Sequence, residues 1–416
     1  MKISIHTNMK RTFFPMIIRR CLIYSCMLLP VMAMAQRQGR ENKSISYTYR
    51  DQFPCKVGQE MEHGRYPRNV IFVIGDGMGT AQVYSSIVAR GENSAFLLFP
   101  YSGFSRTYCH NKYTTDSGAG GTALMTGHKV DYSHVGLGPD GSWYPSFLTT
   151  AKQMFGMSTG FVVTSSVVDA TPASTYAHVS DRNLFDSISI QMTQCGFDVM
   201  IGGGKNYFLP ENRSDSLPLI DTLVSKGYSM AYNVLDLLPL QGNKVCGLLY
   251  SDLPPQAKDR GRMLALGTLK AIEVLKQNNN GFCLMVEGSQ IDHACEYNDS
   301  SHLAGEMYDF EDMLHTVMDF AQRDGNTLVI VTADHETGGL AILDGNVMYG
   351  TSRLTWGTKY KHTGVMVPVF AYGPGAEYFA GVQENTDFYN KIMSLLSESH
   401  GGISHKRGFM SRFRKR

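Results

Sequence analysis

Continuously apolar runs, each followed closely by acidic or imidazole side chains, constrain the fold of this chain more than any other feature. The first is NVIFVIG at Asn69–Gly75, and Asp76 follows it. A run without polar alternation is typical of a strand that is buried on both faces of a sheet. Helical patterns, the clearest at Arg260–Gln277, lie between the runs. The alternation predicts an α/β fold with a central, mostly parallel sheet that is covered by helices on both faces.

Three later runs end in the same way. They are Gly160–Val168 before Asp169, Gly281–Val286 before Glu287 and Asp292, and Thr327–Thr332 before Asp334 and His335. Because ligands of open α/β sheets bind beyond the carboxyl ends of the strands, we expect these side chains to meet. One Asp at a strand end is usually a turn residue or a helix cap, but crowded carboxylates repel one another unless cations neutralise them. The pattern predicts a multi-metal site, suited to zinc plus magnesium.

The stretch TTDSGAGGTALMTG at Thr114–Gly127 offers a nucleophile for such a site. Asp116 is a good N-cap and good helix formers follow, so we predict that Ser117 begins a helix. Free N–H groups and the helix dipole favour an anion there. A serine held in this way attacks a phosphorus or carbonyl centre once its pKa is lowered. Taken alone, the stretch is more typical of a Gly-rich turn, and the strand ends elsewhere favour the catalytic interpretation.

The N-terminus of the 416-residue chain is typical of an exported protein. A basic segment without acidic residues precedes the apolar run Cys21–Met34, and Ala33-Met34-Ala35 fits a signal-peptidase site. We predict a signal peptide at 1–35 and a periplasmic or secreted protein that does not span the membrane after cleavage. An uncleaved anchor is the alternative, and a lipoprotein anchored at Cys26 is a weaker one.

Charge and composition divide the rest of the chain. Without the signal peptide, 33 basic residues face 37 acidic ones, and this mildly acidic balance argues against a nucleic-acid partner. We expect an N-terminal lead-in at 36–67, one large catalytic domain at 68–400 and a basic, disordered tail at 401–416.

Several stretches together resemble the alkaline phosphatase family. They are NVIFVIGDGMG, TTDSGAGGTALMTG, DATPASTYAHVSDR, MVEGSQID, VTADHETGG and HTGVMVPVFAYGPGA, in the family's order. The resemblance implies a single large domain of that fold, hydrolysis of small phosphate monoesters, two Zn²⁺ and one Mg²⁺ per chain, and a tendency to form homodimers.

The resemblance also implies a role for individual residues. Ser117 is expected to be the nucleophile, to form a phosphoseryl intermediate and to bind one zinc, and Arg182 is expected to clamp the phosphate. The remaining metal ligands that it implies are Asp334 and His335 for the first zinc, Asp292 and His362 for the second, Asp76 as a bridge to magnesium, Thr171 and Glu287 on magnesium, and Asp169 beside it through water.

One position departs from the family pattern. Glu296 stands where the family usually has a zinc-binding His. We expect Glu296 to bind this zinc together with Asp292 and His362, as a harder ligand that adds negative charge. The alternative is that Glu296 faces solvent. His293 varies within the family, and contact with phosphate through water or with metal are both open. Cys295 is expected to be packed, and His128, His178 and His302 to be structural or exposed.

Two rival functions follow from the same residues. A sulfatase or phosphodiesterase of the same superfamily is one, but a C/S-x-P-x-R stretch is absent and the nucleophile position holds Ser117 rather than Thr. A non-catalytic metal-binding protein is the other. Ser117 and Arg182 argue against it, because a metal binder needs neither.

Overall fold

The structure is a computed structural model that describes residues 44–46 and 66–401. The predicted signal peptide, most of the predicted lead-in and the predicted tail beyond Gly401 lie outside the described residues. No helix within 66–401 is long and apolar enough to cross a bilayer.

Helices are numbered here in chain order. The described residues form α1 Thr80–Arg90, α2 Ser117–Thr126, α3 Phe147–Phe155, α4 Ala170–Ala173, α5 Phe185–Gln194, α6 Leu219–Ser225, α7 Val234–Leu237, α8 Ala257–Arg260, α9 Met263–Leu275, α10 Gln290–Glu296, α11 Ser300–Asp324 and α12 Asp387–Ser399. The helix predicted at Arg260–Gln277 is confirmed as α9, with both ends trimmed.

Strands follow the same convention. They are β1 Ser44–Ser46, β2 Asn69–Gly75, β3 Tyr101–Arg106, β4 Ser158–Ser166, β5 Val199–Gly203, β6 Ser229–Ala231, β7 Val245–Leu248, β8 Phe282–Gly288, β9 Thr327–Thr332, β10 Glu336–Thr337, β11 Leu340–Asn346, β12 Thr351–Trp356, β13 His362–Thr363, β14 Val367–Tyr372 and β15 Gly381–Glu384. The bounds predicted for β2 and β9 are confirmed to the residue. The predicted β4 and β8 are shifted by one or two residues.

Ten of these strands form one sheet in the order β15-β3-β14-β9-β2-β8-β4-β5-β7-β6. Its neighbouring strands run parallel, except that β14 is antiparallel to both β3 and β9. The prediction of a mostly parallel sheet is therefore confirmed. The four strands that carry the predicted site residues are neighbours in the order β9-β2-β8-β4, so their carboxyl ends lie along one stretch of one edge.

Two apolar cores lie on opposite faces of this sheet. From β2, the side chain of Phe72 packs on one face with Phe147 of α3 and Phe388 of α12, whose ring centroids lie 5.8 and 5.5 Å away. The alternate side chains Ile71 and Val73 belong to the second core, which α9 and α11 complete. Burying one such side chain contributes roughly 1.5–3 kcal/mol. Both faces are thus covered, which explains why β2 lacks polar alternation.

Smaller sheets flank the main one within this single domain. β10 pairs with β13, which sets Thr337 opposite His362. A three-stranded sheet has the order β1-β12-β11, and its strand β1 lies within the predicted lead-in. The connection between His335 and His362 is therefore mainly the β11–β12 hairpin.

Candidate active site

Ser117 is the first residue of α2, as predicted. Asp116 is the N-cap, and its carboxylate accepts hydrogen bonds from the N–H groups of Gly118 at 3.2 Å and Ala119 at 3.3 Å. Those two N–H groups are therefore satisfied by the chain itself, so the free amides expected for an anion are in part occupied. Ser117 is 3% exposed. Its Oγ lies 3.2 Å from Nε2 of His335.

A glycine in α2 lets the helix approach a strand end closely. A Cβ atom on Gly120 would lie 2.9 Å from the carbonyl oxygen of Asp334. A side chain at this position would push α2 away from the end of β9. The small-residue run that the sequence shows thus sets the distance between Ser117 and the residues that follow β9.

The first cluster consists of Asp76, Asp334 and His335, all buried. Nε2 of His335 lies 3.3 Å from Oδ1 of Asp76 and 3.4 Å from Oδ2 of Asp334. The other oxygen of Asp334 accepts the N–H groups of Gly77 and His335, at 3.4 and 3.1 Å. Backbone donors therefore orient Asp334, and its free oxygen faces the cluster.

The second cluster consists of Asp292, His335 and His362. Nε2 of His362 lies 3.7 Å from Oδ1 of Asp292, and the two imidazole rings stack with centroids 3.6 Å apart. Nδ1 of His362 lies 2.8 Å from the carbonyl oxygen of Thr115, which can only accept. Nδ1 therefore carries a proton, and in the neutral imidazole the lone pair of Nε2 points into the cluster.

Thr337 links the two clusters, a role that no motif of the sequence predicts. Its hydroxyl donates to Asp292 Oδ1 and lies 3.2 Å from Nδ1 of His335. Since the hydroxyl proton goes to the carboxylate, Nδ1 of His335 must be the donor to Thr337, which leaves Nε2 with a free lone pair. The only signal was its place in the VTADHETGG stretch.

A third group of oxygens lies beside Asp76. The Thr171 hydroxyl donates to Asp76 Oδ2 at 3.5 Å. Glu287, from β8, is 1% exposed and lies close enough to Asp169 for that charge to raise its pKa. Asp169 caps α4 through the N–H of Ala170 at 2.7 Å. The predicted magnesium ligands are therefore close together.

The residues of these groups fit divalent cations. Asp76 Oδ1, Glu287 Oε2 and Asp334 Oδ2 are buried and have no hydrogen-bond partner within the described part of the chain. Burial raises the pKa of Asp76, and the carboxylates of Asp334 and Asp292 raise it further. Burial and Asp169 raise the pKa of Glu287, whereas burial and His362 lower the pKa of His335. Cations would satisfy the orphaned oxygens and offset the mutual repulsion.

Arg182 joins two carboxylates at the edge of the site. Its guanidinium donates to Asp116 at 3.2 Å and to Asp169 at 3.1 Å, and its side chain is 27% exposed. Burial opposes the charge, but Asp169 and Asp116 outweigh it and raise the pKa of Arg182. Within 66–401 these two bonds leave three of the five N–H donors of the guanidinium for a ligand.

Glu296 is the last residue of α10 and stands apart from both clusters. Its side chain is half-buried, and burial followed by the charge of Asp292 raises its pKa. Its carbonyl accepts the N–H of Tyr360 at 2.9 Å. The structure thus brings Glu296 near Asp292 but does not place a carboxylate oxygen within the second cluster.

The residues that we expected to be structural lie outside the clusters. Cys295 is buried in the second core. His178 binds the carbonyl of Gly136 at 2.8 Å, His302 lies 3.2 Å from Glu306, and the ring of His128 stacks on Tyr144.

Comparisons with known proteins assign the chain to a family. The family model described as alkaline phosphatase matches residues 67–356. The chain belongs to the alkaline phosphatase family. It is 33% identical to alkaline phosphatase 4 of Bacillus subtilis (strain 168), over 79% of this chain and 88% of that one. The family comprises phosphomonoester hydrolases, so the chain is an enzyme of this class.

Solved structures give the same assignment. The alkaline phosphatase from the Antarctic bacterium TAB5 superposes with a TM-score of 0.74 at 35% identity, over 80% of this chain and 98% of that one. A variant of that enzyme, with Mg bound in its M3 site, matches with the same TM-score at 34% identity, over 80% of this chain and 99% of that one. The fold class expected from the sequence is thereby confirmed.

Proposed function

We propose that this protein hydrolyses phosphate monoesters through a phosphoserine intermediate at Ser117 and depends on bound metal ions. The observation that carries the proposal is the 3.2 Å approach of Ser117 Oγ to Nε2 of His335. That imidazole belongs to both clusters of candidate metal ligands. A buried hydroxyl at the meeting point of two cation sites is a nucleophile placed for activation.

We assign the ligands to two Zn²⁺ and one Mg²⁺. Asp334, His335 and Ser117 would hold one zinc, and Asp76 would bridge it to magnesium. Asp292, His362 and the nearby Glu296 would hold the other zinc, and Thr171, Glu287 and, through water, Asp169 would complete the magnesium site. When bound, these cations supply positive charge that lowers the pKa of the Ser117 hydroxyl and stabilises oxygen atoms that gain charge in the reaction.

The side chains divide the reaction between them. Arg182 uses its remaining N–H donors as a fork on two phosphate oxygens, and Asp116 and Asp169 hold that fork in place. The Ser117 oxygen attacks phosphorus as the bond to the ester oxygen breaks, and the alcohol leaves. Attack by water on the phosphoseryl group then releases inorganic phosphate and restores the serine.

Trapping the intermediate tests this proposal. Acid quenching after addition of a phosphate-labelled monoester should leave label on Ser117. The Ser117→Ala variant should retain its fold and most of its bound metal and lose several decades of kcat. Ser85→Ala is the matched control, because that hydroxyl bonds only the carbonyl of Gln82 within the described residues. Label on another residue, or near-normal turnover by Ser117→Ala, would refute the assignment.

We also propose that the protein is exported and has one catalytic domain. We infer a signal peptide at 1–35, a lead-in at 36–67, a catalytic domain at 68–400, a basic tail and a periplasmic or secreted location. The N-terminal sequence of the mature protein checks the cleavage.

A homodimer is supported by the exposed side chains of Val347, Met348 and Tyr349, on the β11–β12 hairpin, which a second copy could cover. Light scattering checks it.

A further inference from the structure

Two loops beside the active site, one at 110–112 and the other at 130–133, are joined to each other by hydrogen bonds. The N–H of His110 donates to the carbonyl of Val130 at 2.9 Å, and the N–H of Tyr132 donates to Asn111 Oδ1 at 2.9 Å. Nδ1 of His110 also lies 2.7 Å from Oδ1 of Asp131. The first loop precedes α2 and the second follows it, so the pair forms one wall next to the nucleophile.

The second loop is attached to catalytic groups at Ser133. Its N–H donates to Asp116 Oδ1 at 2.9 Å, and its carbonyl accepts the N–H of Arg182 at 2.8 Å. Ser133 has a φ of 72°, in the left-handed region that a non-glycine residue rarely adopts. Such a conformation persists only where surrounding bonds hold it. These bonds therefore set the position of the adjacent Tyr132 relative to Asp116 and Arg182.

The ring of Tyr132 contacts the ammonium of Lys112 on the solvent-exposed side of this wall. The ammonium of Lys112 lies 3.5 Å from the centroid of the Tyr132 ring, a cation–π contact that orients the charge. Lys112 is exposed, and no carboxylate of the described chain is in ion-pair contact with it. Partial burial raises the pKa of the Tyr132 phenol, Asp116 raises it further and Arg182 opposes the rise. The ring thus lies within the field of the active-site charges.

We propose that Lys112 and Tyr132 form a subsite for the leaving group, and that they favour phosphate monoesters whose leaving group carries a second negative charge. The inference rests on the proposed function. An in-line displacement places the leaving group opposite Ser117, which is buried, so it extends toward the open side of the site. There an ammonium without a carboxylate partner attracts an anionic substituent, and the aromatic ring limits the motion of that ammonium.

Two aryl phosphates of nearly equal size test the charge preference. In 4-carboxyphenyl phosphate the ring carries a carboxylate, and in 4-carbamoylphenyl phosphate it carries a neutral amide. The ratio of their kcat/KM values should fall about two- to fivefold in Lys112→Gln, the range of an exposed ion pair. Added salt should lower the ratio in the parent protein and leave it nearly unchanged in the variant. Tyr132→Leu should lower the ratio as Lys112→Gln does, whereas Tyr132→Phe, which keeps the ring, should keep the ratio of the parent protein.

Lys244→Gln is the matched control. The ammonium of Lys244 also lies over a tyrosine ring, 5.3 Å from the centroid of Tyr228, but beside β6 and β7 at the far end of the sheet. This substitution should leave the ratio unchanged. An unchanged ratio in Lys112→Gln, with both esters hydrolysed, would overturn the inference and leave the proposed function intact. Failure to hydrolyse either ester would contradict the proposed function instead. Calorimetric titration with the matching non-hydrolysable phosphonates would then test the same charge preference as a ratio of binding constants.

Discussion

Removing the hydroxyl of Thr337 should loosen both clusters at once. The substitution Thr337→Val keeps the shape but deletes the bond to Asp292 and the acceptor for Nδ1 of His335. The backbone should stay in place, because the N–H of Thr337 donates to Gly77 at 3.1 Å and the residue pairs with His362 in the β10–β13 ladder. The change therefore isolates the hydroxyl as the cause.

The size of the effect follows from the role of the hydroxyl. A group that orients metal ligands typically contributes 10- to 100-fold to metal affinity, or about 1.4–2.7 kcal/mol. Here one hydroxyl orients two ligands on separate elements, so we expect about 100-fold. The buried Asp292 oxygen also loses its donor, which adds a cost in the stability of the metal-free protein.

Metal content after dialysis against graded chelator measures the loss. The chelator concentration at which half of the zinc is removed should drop about 100-fold for Thr337→Val and recover in Thr337→Ser. Thr332→Val is the control, because that hydroxyl is also fully buried but donates to the carbonyl of Pro368 at 3.0 Å. If both valine variants release zinc at the same chelator concentration as the parent protein, Thr337 does not position the ligands.

Two further predictions concern residues whose roles came from the family pattern. Arg182→Ala should weaken inhibition by inorganic phosphate and lower kcat/KM by the equivalent of about 2–4 kcal/mol, the scale of losing one charged partner of the substrate. Unchanged phosphate inhibition, measured on the folded variant, would count against the clamp. Glu296→His should retain zinc more tightly than the parent protein during dialysis, because an imidazole is a softer ligand without added charge. Equal zinc content in Glu296→Ala and the parent would instead remove Glu296 from the ligand set.

Local patterns account for much of what could be predicted. The uninterrupted apolar run at Asn69–Gly75 required burial on both sides, and the two cores on either face of β2 meet that requirement. Asp116 before a run of helix formers predicted the start of α2, and the cap has that geometry. The four strand ends predicted a shared edge, because parallel strands present their carboxyl ends together.

Contacts between distant parts of the chain could not be predicted in this way. The bond from His362 Nδ1 to Thr115 and the linking position of Thr337 depend on how β10 and β13 pair across the site. The attachment of Ser133 to Asp116 and Arg182 depends on a left-handed backbone conformation that serine seldom shows. Neither has a periodic or compositional signal.

The sequence by itself determined the fold class and predicted a candidate nucleophile and most of the candidate ligands, because strand burial, helix capping and motif order are local properties of the chain. Only the tertiary structure decided how the ligands are oriented. It showed that two N–H groups of α2 are occupied by Asp116, that Glu296 stands apart from the second cluster, and that Lys112 lies over Tyr132. The physical reason is that hydrogen bonding, ligand clustering and cation–π contact depend on distances of a few ångströms between side chains, and packing sets those distances.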